Sequence, residues 1–144
     1  MRKAISFTII GLCLLGVGCS ASTVWKAEVR SPDGVWIASA RTIQNGGFGT
    51  ASIDTTVYLK STKDSSPPRE VLAFSCKGPV PRPYVLDNTA NAGGTIDLTM
   101  KWLTPSQLEV TYGRRPNLYF QVAKMAGIDI SVRDLSQGAN NSRQ

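Results

Sequence analysis

Few residues of this chain could carry out catalytic chemistry, and their spacing does not bring them together. The 144-residue sequence has no histidine, which excludes Ser-His-Asp and Cys-His nucleophile systems, histidine-ligated metals and a histidine pH switch. Asp54, Asp97 and Glu109 could form an acid/base pair only with two carboxyl groups a few ångströms apart. Each stands at the polar position of an alternating segment, where carboxylates normally face solvent. We therefore expect no catalytic residue, no metal ligand and no cofactor, and hence a protein that is not an enzyme.

A glycine-rich segment, residues 45–49, offers a second chemistry, the binding of phosphate by backbone N–H groups. Phosphate-binding loops of this kind precede a helix, whose N-terminal N–H groups face the anion. Here an alternating, β-branched segment follows instead. The pattern therefore favours a hairpin loop over a phosphate site.

The best candidate for contacting a partner is the longest irregular segment, residues 77–94. Three prolines, at positions 79, 81 and 83, stiffen it towards an extended conformation. Lys77, Arg82 and Tyr84 are its candidate contact residues, since arginine and tyrosine are enriched at interfaces. The alternative is a loop without a binding role that packs across the sheet and covers its edge.

Arg114 and Arg115, which precede a proline, form a second candidate. The pattern places them at the tip of a hairpin, where two cations could hold an anion. The alternative is a solubilising turn.

The amino terminus has the proportions of a secretory signal peptide. Arg2 and Lys3 precede an apolar run over residues 5–17, shorter than the roughly 20 residues that a membrane-spanning helix needs. Leu14-Leu15-Gly16-Val17-Gly18-Cys19 resembles the lipobox of bacterial lipoproteins, although Gly16 stands where that family usually has an aliphatic residue. The resemblance implies removal of residues 1–18 and lipidation, with palmitate among the acyl groups, at Cys19. Ordinary signal-peptidase cleavage after Ala21, which leaves a soluble periplasmic or secreted protein, is the alternative.

The expected export signal determines where the mature domain begins and where the protein is located. Ser20 follows Cys19 where inner-membrane lipoproteins commonly have Asp, so the resemblance implies the outer membrane, with the domain on its periplasmic side. Residues 19–24 are expected to form a tether, 25–136 a β domain and 137–144 a disordered tail. The domain keeps one cysteine, Cys76, and therefore cannot form an internal disulfide.

The charge of the chain, +6 at pH 7, limits its partners. Loss of the signal peptide leaves a mildly basic domain, which favours weak attraction to anionic surfaces of the envelope. No basic run interleaved with aromatic residues occurs, and the chain is exported, so nucleic acid is not an expected partner.

The remaining sequence consists of short alternating segments separated by turn residues, a pattern typical of an all-β fold. About eight short strands are predicted, at 25–30, 35–42, 53–61, 71–76, 95–102, 108–112, 118–123 and 128–135. Their spacing predicts a single antiparallel β domain, either sandwich-like or a strongly curved sheet. Between the first two strands, Ser31-Pro32-Asp33-Gly34 predicts a turn in which Asp33 caps and Gly34 adopts a positive φ.

Two hairpins are predicted in the C-terminal half. In the first, a three-residue loop at 104–106 sets Trp102 opposite Leu108 and Lys101 opposite Glu109. In the second, segments 118–123 and 128–135 pair with each other. The residues expected to face inward there are Leu118, Phe120, Val122, Ile128, Ile130 and Val132.

The turn motif also carries a family resemblance. Arg30-Ser31-Pro32-Asp33-Gly34 and the strands around it, residues 25–59, resemble the start of a TolB-type β-propeller blade, but a single copy cannot build a propeller. The chain is more similar to small uncharacterised bacterial envelope proteins. These share the turn, a glycine-rich loop with a second strand (here 46–49 and 54–59), and a Trp followed by a Leu-x-Val-x-Tyr strand (Trp102 and 108–112). The resemblance brings no established activity with it.

These observations predict a non-catalytic lipoprotein of the cell envelope that acts as a structural or interaction module. Its expected partners are the membrane, through the lipid, and a protein of the envelope. One alternative is a periplasmic binding module or inhibitor that uses residues 77–94. A hydrolase that uses carboxylates and arginine has the least support.

The lipid anchor is tested by Cys19→Ser, which removes the thiol that accepts the lipid. We expect the variant to accumulate as an uncleaved precursor or as a soluble product, and the wild type to fractionate with the outer membrane. Mass spectrometry of the wild-type N-terminus reads the result directly. An unmodified N-terminus at Ser22 contradicts the anchor and establishes ordinary secretion.

Overall fold

The computed structural model describes residues 21–45, 52–76 and 96–136. Within these ranges the chain forms nine β-strands. In chain order they are β1 (Ser22–Arg30), β2 (Trp36–Asn45), β3 (Ser52–Ser61), β4 (Arg69–Cys76), β5 (Thr99–Thr104), β6 (Gln107–Tyr112), β7 (Asn117–Gln121), β8 (Lys124–Met125) and β9 (Ile128–Asp134). The predicted all-β class is confirmed.

The strands form two sheets around one core. The first sheet has the order β1-β2-β3-β4-β7 and the second β5-β6-β9-β8. Neighbouring strands are antiparallel except β6 and β9, which run parallel. Both sheets supply buried residues to the same cluster, among them Val57, Leu59 and Phe74 from the first and Met100, Leu108 and Val110 from the second. The domain is therefore sandwich-like.

The alternating pattern of β3 shows how the sequence directs this core. Ile53, Thr55, Val57 and Leu59 are all buried, as the period of two predicts. Thr55 is polar, but its hydroxyl lies 2.7 Å from that of Thr42 on β2, and the two satisfy each other. Burial without that bond would cost roughly 1–3 kcal/mol.

Two contacts fasten one sheet to the other. The ring of Phe74 on β4 meets the ring of Tyr112 on β6 edge to face, with centroids 4.9 Å apart and an angle of 61°. The indole Nε1 of Trp102 on β5 donates to the carbonyl of Val29 on β1 at 3.3 Å. An aromatic pair of this geometry contributes about 0.5–1.5 kcal/mol beyond the area it buries.

The turn between β1 and β2 has the predicted chemistry. The N–H of Gly34 donates to the carbonyl of Ser31 at 2.9 Å, and Gly34 has a φ of +70°. Asp33 Oδ1 accepts from the Ser31 hydroxyl at 2.6 Å and from the N–H of Val35 at 3.1 Å. These bonds, the one from Ser31 first, hold the pKa of Asp33 below its usual value. The Ser31 hydroxyl also accepts from the N–H of Trp36 at 2.9 Å, which closes the turn onto β2.

The β5–β6 hairpin has the predicted register. Trp102 lies opposite Leu108, and Lys101 lies opposite Glu109. The loop differs, because Thr104 pairs with Gln107 and the register shifts at Leu103. A β-bulge at Leu103 therefore precedes a two-residue turn. With a two-residue turn alone, the apolar residues of β6 would point to solvent. The bulge adds one residue, and the apolar residues therefore face the core.

The second predicted hairpin is wrong. β7 pairs with β4 of the first sheet, and β9 pairs with β6 and β8. β4 explains the difference, because residues 71–74 are all fully buried, which is typical of a strand with neighbours on both edges. β7 supplies the second neighbour, and just after it the N–H of Val122 donates to the carbonyl of Val71 at 2.9 Å.

Two strands begin three or more residues from their predicted positions, and the other predicted strands begin within two residues. β1 begins at Ser22, so residues 22–24 of the predicted tether belong to the sheet. β5 begins only at Thr99, because Asp97 has a φ of +50° and interrupts the extended chain. Ile96 and Leu98 are nevertheless fully buried, as the pattern predicts.

The turn is tested by Gly34→Ala, with Gly113→Ala as its control. A Cβ on Gly34 meets no atom within 4 Å, so its whole cost is the left-handed conformation, about 1 kcal/mol of unfolding free energy. A Cβ on Gly113 makes ordinary contacts from 3.7 Å outward, so we expect a change within about 0.5 kcal/mol. Urea unfolding measures both, and equal losses would contradict the assignment.

Candidate functional site

The outer face of the first sheet carries the candidate site. Ala27 and Val29 of β1 pack against the core, so the alternating residues Lys26 and Glu28 point outward. The strand register sets Lys26 opposite Arg41, Glu28 opposite Ser39 and, one strand further, Arg41 opposite Thr56. Charged and hydroxyl side chains thus form rows across β1, β2 and β3.

Arg41 is held in place by Tyr58. Its Nε and Nη2 atoms both donate to the Tyr58 hydroxyl, at 3.2 and 2.8 Å. Its guanidinium carbon also lies 4.9 Å from the centre of the tyrosine ring. A cation over an aromatic face at an exposed site contributes about 0.5–1 kcal/mol. The guanidinium therefore has a fixed orientation although it is solvent-exposed.

An open cleft of about 460 Å³ lies beside Arg41. The residues that line it are Thr23, Lys26, Ala27, Glu28, Ser39 and Arg41. Lys26 and Arg41, which lie directly opposite each other, bring two positive charges to the cleft. Glu28 brings one negative charge, and its carboxylate lies 3.8 Å from the guanidinium of Arg30.

A pair of exposed aromatic side chains lies at the far edge of the same sheet, on β7. Tyr119 is 56% exposed and Phe120 is 40% exposed. The register of β7 skips Tyr119, so this β-bulge sets both residues opposite Ala73. We call Tyr119 and Phe120 the aromatic patch.

Carboxylates accompany the aromatic patch. The pKa of Tyr119 is raised, first by partial burial of its hydroxyl and then by the charges of Asp54 and Glu70. The two carboxylates therefore act on the same side of the sheet as the patch. Two negative charges therefore accompany the exposed aromatic side chains.

The prediction that Phe120 faces inward is wrong. Of the six residues predicted to face inward in this region, the other five contact the core: Leu118, Val122, Ile128, Ile130 and Val132. The bulge at Tyr119 reverses the face of Phe120. The alternation of apolar and polar residues in the sequence does not indicate where such a bulge lies.

A smaller cleft of about 120 Å³ lies where the β3–β4 connection meets the β8–β9 turn. The residues that line it include the apolar Trp36 and Met125 and the charged Asp64 and Arg69. The pKa of Asp64 is lowered, first by the N–H of Ser66, which donates to it at 2.9 Å. The carboxylate is thus already used in closing its own turn.

Arg114 and Arg115 do not lie at a hairpin tip, and that prediction is wrong. They lie between β6 of the second sheet and β7 of the first, with φ values of +58° and +49°. Arg114 Nε donates to Asp97 Oδ2 at 2.7 Å. Arg114 therefore fastens the crossover between the sheets. Cys19, Lys77, Arg82 and Tyr84 lie outside the described residues.

The three candidate carboxylates occur in three separate groups. Asp54 accepts from Asn45 Nδ2 at 3.1 Å, Asp97 binds Arg114, and Glu109 accepts from Arg133 Nη1 at 3.3 Å. Within 21–45, 52–76 and 96–136, no group of three or more Cys, Asp or Glu is placed so as to hold a metal ion. The same ranges contain no helix with the length and apolar character needed to cross a bilayer.

Comparison with protein-family models, with curated proteins and with solved structures found no match to the chain.

The role of Arg114 is tested by Arg114→Ala, with Arg115→Ala as its matched control. Both variants keep a Cβ in a left-handed conformation, and only the first breaks an ion pair. Because the pair is exposed, we expect Arg114→Ala to lower the unfolding free energy by about 0.5 kcal/mol. Arg115→Ala should leave it unchanged. The difference between the two variants should shrink in 1 M salt, because the Debye length there is only about 3 Å. A difference in unfolding free energy that persists in 1 M salt would contradict the ion pair.

Proposed function

We propose that this protein is a non-catalytic lipoprotein of the cell envelope that binds a protein partner through the aromatic patch. In this proposal Cys19 carries the lipid, and the domain faces the periplasm from the outer membrane. The observation that carries the proposal is the exposure of two adjacent aromatic side chains, Tyr119 at 56% and Phe120 at 40%, on a strand.

The patch has the composition of an interface centre. Aromatic side chains dominate the residues whose removal weakens protein complexes most, and they cluster where water is excluded. The pairing of β7 with β4 fixes the backbone of Tyr119 and Phe120, so little backbone freedom remains to be lost on binding. The nearby carboxylates of Asp54 and Glu70 would form part of the polar rim.

The non-catalytic part of the proposal is supported by the carboxylates. General acid/base catalysis needs two such groups on one substrate. Asp97 and Glu109 each bind a different arginine, and Asp54 of the first sheet accepts from Asn45 of the same sheet. The sequence also offers no histidine to activate a serine or the thiol of Cys76.

The membrane part of the proposal is supported by the lipobox resemblance and by the short distance to the first strand. Only three residue steps separate Cys19 from Ser22, where β1 begins. Fully extended, they span at most about 11 Å. A lipid at Cys19 would therefore hold the domain directly at the bilayer surface.

The partner surface is tested by photo-crosslinking in intact cells. A benzophenone amino acid replaces Tyr119 or Phe120, and in the control it replaces Leu103, which is 49% exposed on the β5–β6 hairpin of the other sheet. We expect one crosslinked protein, identical for positions 119 and 120 and absent for 103. The proposal is overturned if all three positions give the same crosslinked products. It is also overturned if positions 119 and 120 give no product in correctly localised protein.

A further inference from the structure

We propose that Lys26 and Arg41 bind the phosphate group of an anionic phospholipid in the membrane that carries the protein. The inference rests on the proposed lipid anchor and adds a second membrane contact to it. The site is the open cleft between β1 and β2 on the outer face of the first sheet.

The first argument is the placement of charge. Lys26 and Arg41 are direct cross-strand partners, and like charges in this arrangement are destabilising. The carboxylate in the cleft, Glu28, is shared with Arg30, which lies 3.8 Å away. Among the described residues, the cleft and Arg30 beside it thus hold three cations for one anion. An external anion between Lys26 and Arg41 would relieve the repulsion.

The second argument is that Arg41 is oriented before any ligand arrives. Nε and Nη2 are occupied by the Tyr58 hydroxyl, and the ring lies under the guanidinium. The N–H groups of Nη1 and the second N–H of Nη2 are not used in those bonds. A guanidinium presents such donors in a planar arrangement that matches phosphate oxygens, and Lys26 adds a point charge.

The third argument is the rest of the lining. Thr23 and Ser39 bring hydroxyl groups, which donate readily to phosphate oxygens. The cleft is open and about 460 Å³ in volume, which suits a head group that remains attached to a membrane. A small free anion would leave most of that volume filled with water.

The fourth argument is the position of the cleft along the chain. Thr23, which lines it, follows Cys19 by four residues, a distance of at most about 14 Å. The head-group layer on each side of a bilayer is itself about 5–8 Å thick. A lipid at Cys19 would therefore keep this end of the cleft within about 14 Å of the anchored residue, which is within reach of phospholipid phosphates.

The test uses the mature chain that the lipobox resemblance implies, residues 19–144 with Cys19→Ser, so that neither an acyl chain nor the apolar run over residues 5–17 contributes to binding. Flotation compares vesicles of phosphatidylcholine with vesicles that also contain 30% phosphatidylglycerol, at physiological salt. Lys26→Gln with Arg41→Gln is compared with Lys101→Gln and Arg115→Gln, which remove the same charge elsewhere. Circular dichroism confirms that both double variants are folded.

We expect the parent chain to prefer the phosphatidylglycerol vesicles. The affinity of the Lys26/Arg41 variant for these vesicles should be about 25-fold lower than that of the parent chain. Each cation near an anionic surface increases the binding constant about fivefold. The control variant should lose at most about threefold, because Lys101 lies on β5 of the other sheet, Arg115 lies between β6 and β7, and neither lines the cleft. Equal losses in both variants, or no preference in the parent chain, overturn the proposal.

A second measurement separates lipid from free phosphate. Thermal unfolding of the same chains without vesicles is followed in sodium phosphate and in sodium chloride of equal ionic strength. We expect no difference between the salts. A rise of Tm in phosphate that the Lys26/Arg41 variant lacks assigns the site to free phosphate and overturns the lipid proposal. Failure of lipidation in cells is read separately, from the N-terminus of the wild type, and leaves these outcomes unaffected.

Discussion

Tyr112 is the residue on which the arrangement of the two sheets depends. Its ring packs against Phe74 of the first sheet, and its carbonyl accepts from the N–H of Leu135, just after β9. The next residue, Gly113, donates to the carbonyl of Ile96 at 2.7 Å. Burial, followed by the charge of Asp134, raises the pKa of the Tyr112 phenol. Tyr112 and Gly113 thus join β4, β6, the segment before β5 and the end of β9, and each sheet buries its inner face against the other.

The fold could be predicted from the sequence wherever the cause is local. The turn at residues 31–34 follows from the φ of Gly34 and the hydrogen bonds of Asp33, and the β5–β6 register follows from alternation. The partner of β7 could not be predicted, because it depends on the second edge of β4, which lies about 45 residues earlier in the chain. The parallel pairing of β6 with β9 is a consequence of that excursion into the other sheet.

The candidate site was less predictable than the fold, for a related reason. Arg41, Tyr58 and Lys26 are unremarkable in sequence, and only the registers of β1, β2 and β3 bring them together. Tyr119 and Phe120 occupy one face only because of a bulge, which alternation does not encode. Arg114 is a candidate in the sequence because cations next to a proline suggest an exposed hairpin tip. In the structure its guanidinium forms an ion pair with Asp97. Long-range pairing, more than residue type, decides which side chains are neighbours here.

The strand order of the first sheet has a further consequence for the reach of the protein. β1 and β7 are its two outermost described strands, separated by four inter-strand spacings, or about 19 Å. The registers also displace Phe120 from Ser22 by about three residues, or about 10 Å, along the strands. With this displacement and the short link to Cys19 added, a lipid-anchored domain would present the aromatic patch within about 35 Å of the bilayer surface. The width of the sheet would then limit the partners to proteins that come within this distance of the membrane. Proteins that remain farther into the periplasm could not contact the aromatic patch.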